Sequence, residues 1–329
     1  MPINSILGLY SLVFFYEYSY LCKKIMEVTS ELRTQKELLL NYFRENIETE
    51  LISLNSRFSR AQYKEKASEV NKALTRQRNE LISRIIILAR NENWNNIIIL
   101  ENILMITYAS YVVMLETRNS IWPYDYMAFS RRIGELWEPF CKICFYFPNR
   151  DISIYEPPLF EDIKAQLTSK IEAFVSNLHI LDEEKIQLQS YYNLVWNLVT
   201  SGQIQMKEDL HFIDGDVKYV VDFKSGFGSN EKGNTNRLLL VGNIYQSLND
   251  NYKCLIFVRS TENNHYLQTL QNSGIWETST GEATYLKIEA FTGYNISIWI
   301  QNNISWMNDF KPEMSNFVRE NNLEAYLVW

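Results

Sequence analysis

The stretch DLHFIDGDVKYVVDFK, Asp209 to Lys224, places an alternating apolar run on each side of Asp214-Gly215. Asp-Gly is a preferred centre for a two-residue hairpin turn, because both central positions take positive φ and glycine reaches it without steric cost. A turn centred there sets Ile213 opposite Asp216, Phe212 opposite Val217, His211 opposite Lys218, Leu210 opposite Tyr219, Asp209 opposite Val220 and Lys207 opposite Asp222. Side chains alternate between faces along a strand, and directly opposed residues share a face. One face then carries Leu210, Phe212, Val217, Tyr219, Val221 and Phe223, a core surface on which Glu208 is the one charge. The other carries Lys207, Asp209, His211, Lys218, Asp222 and Lys224, with Val220 among them.

On the polar face Asp209 lies diagonally across from Asp222, roughly 7–8 Å away at the backbone, so the two carboxylates can meet on one cation. Hard divalent ions such as magnesium take oxygen ligands of this kind. Lys224 follows two residues after Asp222 on the same face and sets an ammonium group beside them. Such a group suits phosphodiester hydrolysis, where a water is activated and negative charge on phosphorus is offset. The plain alternative is an exposed hairpin whose acids and bases pair for solubility, Lys207 with Asp222.

In this pattern the chain resembles the PD-(D/E)XK nuclease superfamily, the fold of many type II restriction endonucleases. Asp209 stands at the family's first Asp, and Asp222-Phe223-Lys224 at its (D/E)XK element; Glu208 replaces the proline before the first Asp. The resemblance covers Asp182 to Val258, a helix, the hairpin, a second helix and a strand. It implies an α/β (α+β) fold with a restriction-endonuclease-like core, a mixed β-sheet flanked by helices. Asp209 and Asp222 would hold Mg2+, with the carbonyl of Phe223 as a further ligand. Lys224 would orient or deprotonate the attacking water and stabilise the phosphorane, and cleavage would leave a 5′-phosphate. A helix ahead of the sheet often supplies another acid in this family, and Glu172, Glu183 and Glu184 all stand in place for it.

The expected activity is magnesium-dependent, sequence-specific cleavage of double-stranded DNA in a bacterial or archaeal cytoplasm. A homodimer would match a palindromic site, and a matching DNA methyltransferase would be a genetic neighbour. A related nuclease in repair or phage defence and a non-catalytic helical interaction protein are the competing readings.

The 329 residues, 46% apolar, allow one large domain or two ordinary ones. Net charge is −7, against a protein that coats nucleic acid indiscriminately. A local positive surface runs from Arg57 to Arg90, where nine basic residues, Arg76 and Arg78 among them, meet only Glu65, Glu69 and Glu80. It reads either as a grip on the DNA backbone or as the solvated face of a helix. The polar, glycine-rich segment after the hairpin reads as a flexible loop opening a helix near Thr235. It offers Lys232, Asn234, Asn236 and Arg237 to DNA, with Lys207 beside them.

No glycine or proline occurs between Leu9 and Trp122, and Leu40, Phe43, Ile47, Leu51 and Leu54 recur at helical spacing. A large all-α N-terminal region, 1–150, is therefore expected, for dimerisation or DNA grip, followed by a catalytic domain at 151–329 beyond the prolines Pro148 to Pro158. In the second domain helices are expected at Phe160 to Asn177, Asp182 to Thr200 and His265 to Gln271, with strands at Cys254 to Val258 and Thr284 to Ile288. Cys141 and Cys144 form a single CxxC without a second pair, which reads as buried thiols rather than a zinc site. The apolar run Ile6 to Tyr16 is cut by Glu17 short of a membrane span and reads as a core helix or dimer contact; no membrane association is expected.

Overall fold

A chain without helix breakers for more than a hundred residues runs as long helices. The computed structural model describes residues 32–199, 204–228, 231–248 and 251–329; Ile6 to Tyr16 lies outside them. Within them the chain divides into two units, one ending at Asn149 and completed by Ile288–Trp329, the other spanning Arg150–Lys287.

In the first unit α1 (Leu32–Arg57) and α2 (Tyr63–Asn91) pack with α3 (Asn96–Ile121), followed by α4 (Tyr126–Tyr146). Helix α3 is apolar on all sides and buried for most of its length, as expected of a helix at the centre of a bundle. Asn95 and Asp125 start α3 and α4 by accepting the Ile98 and Ala128 amides at 2.9 and 2.7 Å. The stripes read from sequence face inward, with Phe43, Ile47 and Leu54 on α1 and Val70, Leu74, Leu81 and Ile85 on α2 buried. Cys141 and Cys144 are buried free thiols, as expected.

The C-terminal stretch joins this unit, a correction to the reading of 151–329 as one catalytic domain. Two acids tie it there, Glu116 buried and Asp309 half-buried. Asp309 Oδ2 accepts Tyr108 Oη at 2.6 Å and Lys36 Nζ at 3.0 Å. Glu116 is held by Arg44 at 2.7 Å and accepts the Lys311 amide at 2.6 Å. Each joins α1 and α3 to the segment that contains α10 (Ile296–Asn303), α11 (Trp306–Asp309) and α12 (Pro312–Glu320).

The second unit holds a five-stranded mixed sheet in sequential order, β1 (Ile152–Ile154), β2 (Leu210–Asp214), β3 (Val217–Lys224), β4 (Tyr252–Val258) and β5 (Trp276–Thr280). The first two pairings are antiparallel and the last two parallel. Helices α5 (Phe160–Ser176) and α6 (Asp182–Val199) precede the hairpin, α7 (Lys232–Ser247) crosses from β3 to β4, and α8 (His265–Asn272) from β4 to β5. Parallel neighbours require such crossovers. Strands β1 and β5 add to the expected set, and Thr284 to Ile288, expected as a strand, lies in helix α9 (Glu282–Thr292).

Strand β4 is buried from Cys254 to Val258, as its unbroken apolar run requires. Cys254, Ile256 and Val258 pair with Val220, Asp222 and Lys224, so all six share one face. On it Val220, Ile256 and Val258 form a core with Leu238, Val241 and Tyr245 of α7 and Leu267 and Leu270 of α8. The hairpin's supposedly open face is therefore covered by helix.

Helix α7 approaches β5 closely at Gly242. A Cβ there would meet Ile275 Cγ2 at 2.4 Å and Trp276 Nε1 at 2.6 Å, and that indole donates to Leu238 O at 2.9 Å. Gly233 in the same helix has open space around it. We expect Gly242→Ala to cost about 1–3 kcal/mol by overpacking, with Gly233→Ala neutral or slightly stabilising because alanine favours helix. Urea midpoints for the two variants check this; equal midpoints would show that α7 does not pack as described.

Candidate active site

The hairpin turns one residue later than its sequence suggests. Asp214 pairs with Val217, leaving Gly215 and Asp216 as the turn, and the register continues through Leu210 opposite Val221. Gly215 has φ +58°, and Asp216 is not among the residues with positive φ. A glycine at the first central position with positive φ meets the demand of a type II′ turn, whereas the expected type needs positive φ at both. Each residue's partner thus moves by two. Such a shift keeps every side chain on its expected face.

Extending this register by one step sets Asp209 directly opposite Asp222 rather than diagonal to it. The ladder ends there, and Asp209 Oδ2 takes the Phe223 amide at 2.7 Å in place of a strand carbonyl. Asp222 is 1% exposed, and Lys224 Nζ lies 2.5 Å from its Oδ2 and 3.2 Å from Phe223 O. Asp209, Asp222, Phe223 and Lys224 are therefore gathered at one end of the hairpin. The burial of Asp222 removes the solubility explanation of its charge. Lys207, expected opposite Asp222, is exposed and pairs with Glu156 at 2.7 Å.

Two further residues complete the cluster. Glu208, expected on the face with Leu210 and Phe212, is instead buried on the α7 side of the sheet and bound by Arg237 at 2.6 Å, because it lies ahead of β2, where strand alternation does not apply. The other arginine nitrogen reaches Asp222 Oδ1 at 3.4 Å, and Asn234 Oδ1 braces the guanidinium at 3.2 Å. Arg237, read from sequence as a DNA contact, thus spans two carboxylates inside the site. His211 is 3% exposed, and its Nε2 accepts the Glu208 amide at 2.9 Å, which turns the chain just ahead of Asp209. Of the acids expected from the preceding helices, Glu172, Glu183 and Glu184 are all exposed, and Glu184 accepts the Leu181 amide. The signal for Glu208 was its position, a lone acid on a face expected to be apolar.

Helix α7 begins at Lys232 rather than near Thr235, so Asn234, Asn236 and Arg237 lie on its first turns. Lys232 and Asn236 are exposed. The segment read as a flexible loop is pinned at its start: Ser260 N donates to Ser225 O at 3.1 Å, the Phe227 amide donates to Asn263 Oδ1 at 2.9 Å, and Phe227 is buried.

Three acids and two bases meet here in a largely dry place. Burial pushes the Asp222 carboxyl well above its ordinary value of 3.8, and the charges of Asp209 and Glu208 push the same way against Lys224. Burial alone would lower the Lys224 ammonium, but the carboxylates of Asp222 and Asp209 outweigh it and keep the pKa above its usual range. For magnesium the donor set fits, since Asp209, Asp222 and Phe223 offer only hard oxygens, and the ammonium already bridges two of these groups. Among the described residues no three His, Cys, Asp or Glu side chains converge as a metal cluster. A metal at this place would be held by two carboxylates, a carbonyl and water, a set magnesium accepts.

These charges set how stability depends on pH. An acid whose pKa is raised by folding costs stability as pH rises above its unfolded value, so Asp222→Asn should lessen the fall of Tm as pH rises from 3.8 toward 7 without metal, on top of a pH-independent loss from leaving Lys224 and Arg237 unmatched. An unchanged slope of Tm with pH would contradict it. His211 is shifted the other way, from 6.5 to about 4, first by burial and then by Lys207. Stability tied to its neutral form is present above pH 6.5 and lost as pH falls through 4. His211→Gln keeps an acceptor without titrating, and should flatten the Tm profile between those values; an unchanged profile would remove His211 as its source. No family model, curated protein or solved structure matches the chain.

Proposed function

We propose that the chain is a magnesium-dependent endonuclease of the PD-(D/E)XK kind that hydrolyses double-stranded DNA, acting as a homodimeric restriction enzyme. The observation that carries this reading is the buried carboxylate of Asp222, 1% exposed, set at the end of a hairpin beside Asp209 and Lys224. The order of α6, β2, β3, α7 and β4 supports it, being the helix, hairpin, helix and strand that the resemblance implies. Ionised carboxylate is costly in such a place, and a cation that shares it offsets the cost.

Asp209, just ahead of β2, and Asp222 of β3 would hold the cation, with the carbonyl of Phe223 as a further ligand. Magnesium bound there would polarise the scissile phosphate and acidify a water. Lys224, kept protonated by Asp222, serves as the cation that offsets charge on the phosphorane rather than as the base. Arg237 holds Asp222 through Oδ1 and Lys224 holds it through Oδ2, the oxygen that a cation would share; Glu208 fixes the arginine. His211 sets the bend that brings Glu208 and Asp209 to the site.

Plasmid DNA incubated with the purified chain and magnesium should give discrete fragments with 5′-phosphate ends. Chelator and Asp222→Ala should each abolish cutting, a loss of at least about 100-fold, the scale for removing a group that stabilises the transition state. A smear would favour a nuclease of repair or phage defence. Cutting that survives Asp222→Ala would move the active site elsewhere, and no cutting on varied DNA would favour a binding protein.

A further inference from the structure

The nine basic residues between Arg57 and Arg90 do not share one surface. Arg78 lays its guanidinium over the buried ring of Tyr111 at 5.5 Å, and Lys64 stands over Trp122 at 5.4 Å. Lys72, Arg76 and Arg84 instead line one open cleft of about 870 Å3 on α2, and Arg132 enters it from α4. The one acid in the lining is Glu80, and the remaining side chains are serine, threonine and asparagine. Arg132 comes from outside the basic stretch, brought in by helix packing.

We propose that this cleft binds the sugar-phosphate backbone of double-stranded DNA, apart from the hairpin site. It shares the polymer with the catalytic reading and none of its residues. The twelve-residue step from Lys72 to Arg84 spans about 18 Å along a helix, whereas each DNA strand carries a phosphate about every 3.4 Å of duplex axis. A row of that length fits several phosphates rather than one anion. Every lining side chain is polar or charged, with no aromatic platform for unstacked bases and no apolar pocket for a peptide anchor. Arginine forks and small hydroxyl and amide groups are the usual contacts to duplex backbone.

The cations now pair with acids at the rim. Lys72 meets Glu69 at 2.8 Å, Arg76 meets Glu50 at 3.5 Å and Arg132 meets Glu135 at 3.1 Å. Exposed pairs of this kind contribute little, and phosphate offers charge-assisted, two-pronged bonds in exchange.

The test is fluorescence anisotropy of a labelled duplex with the full chain in chelator, as a function of salt. Arg76→Glu with Arg84→Glu should weaken binding at least tenfold and flatten the salt slope by about 2, one for each phosphate that the protein no longer neutralises. Lys170→Glu with Arg319→Glu, the same charge change on exposed residues outside the cleft, should weaken it far less. Arg76→Gln with Arg84→Gln should fall between, and decides the matter if thermal melting shows the Glu pair unfolded. Inorganic phosphate at matched phosphate concentration should not displace the duplex. Equal weakening in cleft and control variants, displacement by inorganic phosphate, or no duplex binding by the unaltered chain at low salt would overturn the proposal. Binding by a chain that does not cut leaves the cleft standing and removes the nuclease reading; cutting with no effect of the cleft variants does the reverse.

Discussion

The Phe223 amide donates to Asp209 Oδ2 at 2.7 Å, and this bond closes the open end of the β2–β3 hairpin. It stands where a strand carbonyl would otherwise accept, so the ladder's last rung becomes a carboxylate. Everything at the site follows from that substitution. It fixes Asp209 beside the backbone of the residue that follows Asp222, turns Phe223 O toward Lys224, and leaves the next residue back, Glu208, pointing to α7. His211 supports the same bend from the strand side by accepting the Glu208 amide at 2.9 Å. Two local hydrogen bonds thus decide where three acids point.

The cluster sets charge against burial. Asp222 shares its face with Val220, Ile256 and Val258, an apolar surface under α7. A carboxylate in that setting needs partners, and Lys224 and Arg237 provide them from either side. Removing one partner from a buried network costs more than the net worth of the pair, because the other charge is left unmatched. Functional sites often hold such strain for their chemistry. Helix α7 is therefore more than a crossover: its close approach at Gly242 seats the helix, and Arg237 a turn earlier reaches the acids.

The faces of the hairpin were legible because alternation has period two, and the true turn differs from the expected one by a shift that preserves it. The register itself was not, since Asp214-Gly215 and Gly215-Asp216 are both good turn pairs and only the observed pairing of Asp214 with Val217 separates them. Asp209, Asp222 and Lys224 could be named from spacing. The partnership of Glu208 with Arg237 could not, because it depends on how α7 docks across the sheet. The same holds for the first unit: the buried stripes of α1 and α2 were readable from helical spacing, while the return of the C-terminus to Tyr108 and Glu116 of α3 rests on residues more than 190 apart. Thr284 to Ile288 misled through its β-favouring residues, a weak preference that tertiary context overrides.

Crystals of the chain soaked in manganese, a magnesium substitute visible by anomalous scattering, test the central claim most directly. One peak is expected between the Asp209 and Asp222 carboxylates and Phe223 O, within about 2.0–2.6 Å of each oxygen, with Lys224 Nζ displaced from Asp222 Oδ2. A peak elsewhere, or none while Lys224 keeps its place against Asp222, would contradict a cation site at this hairpin.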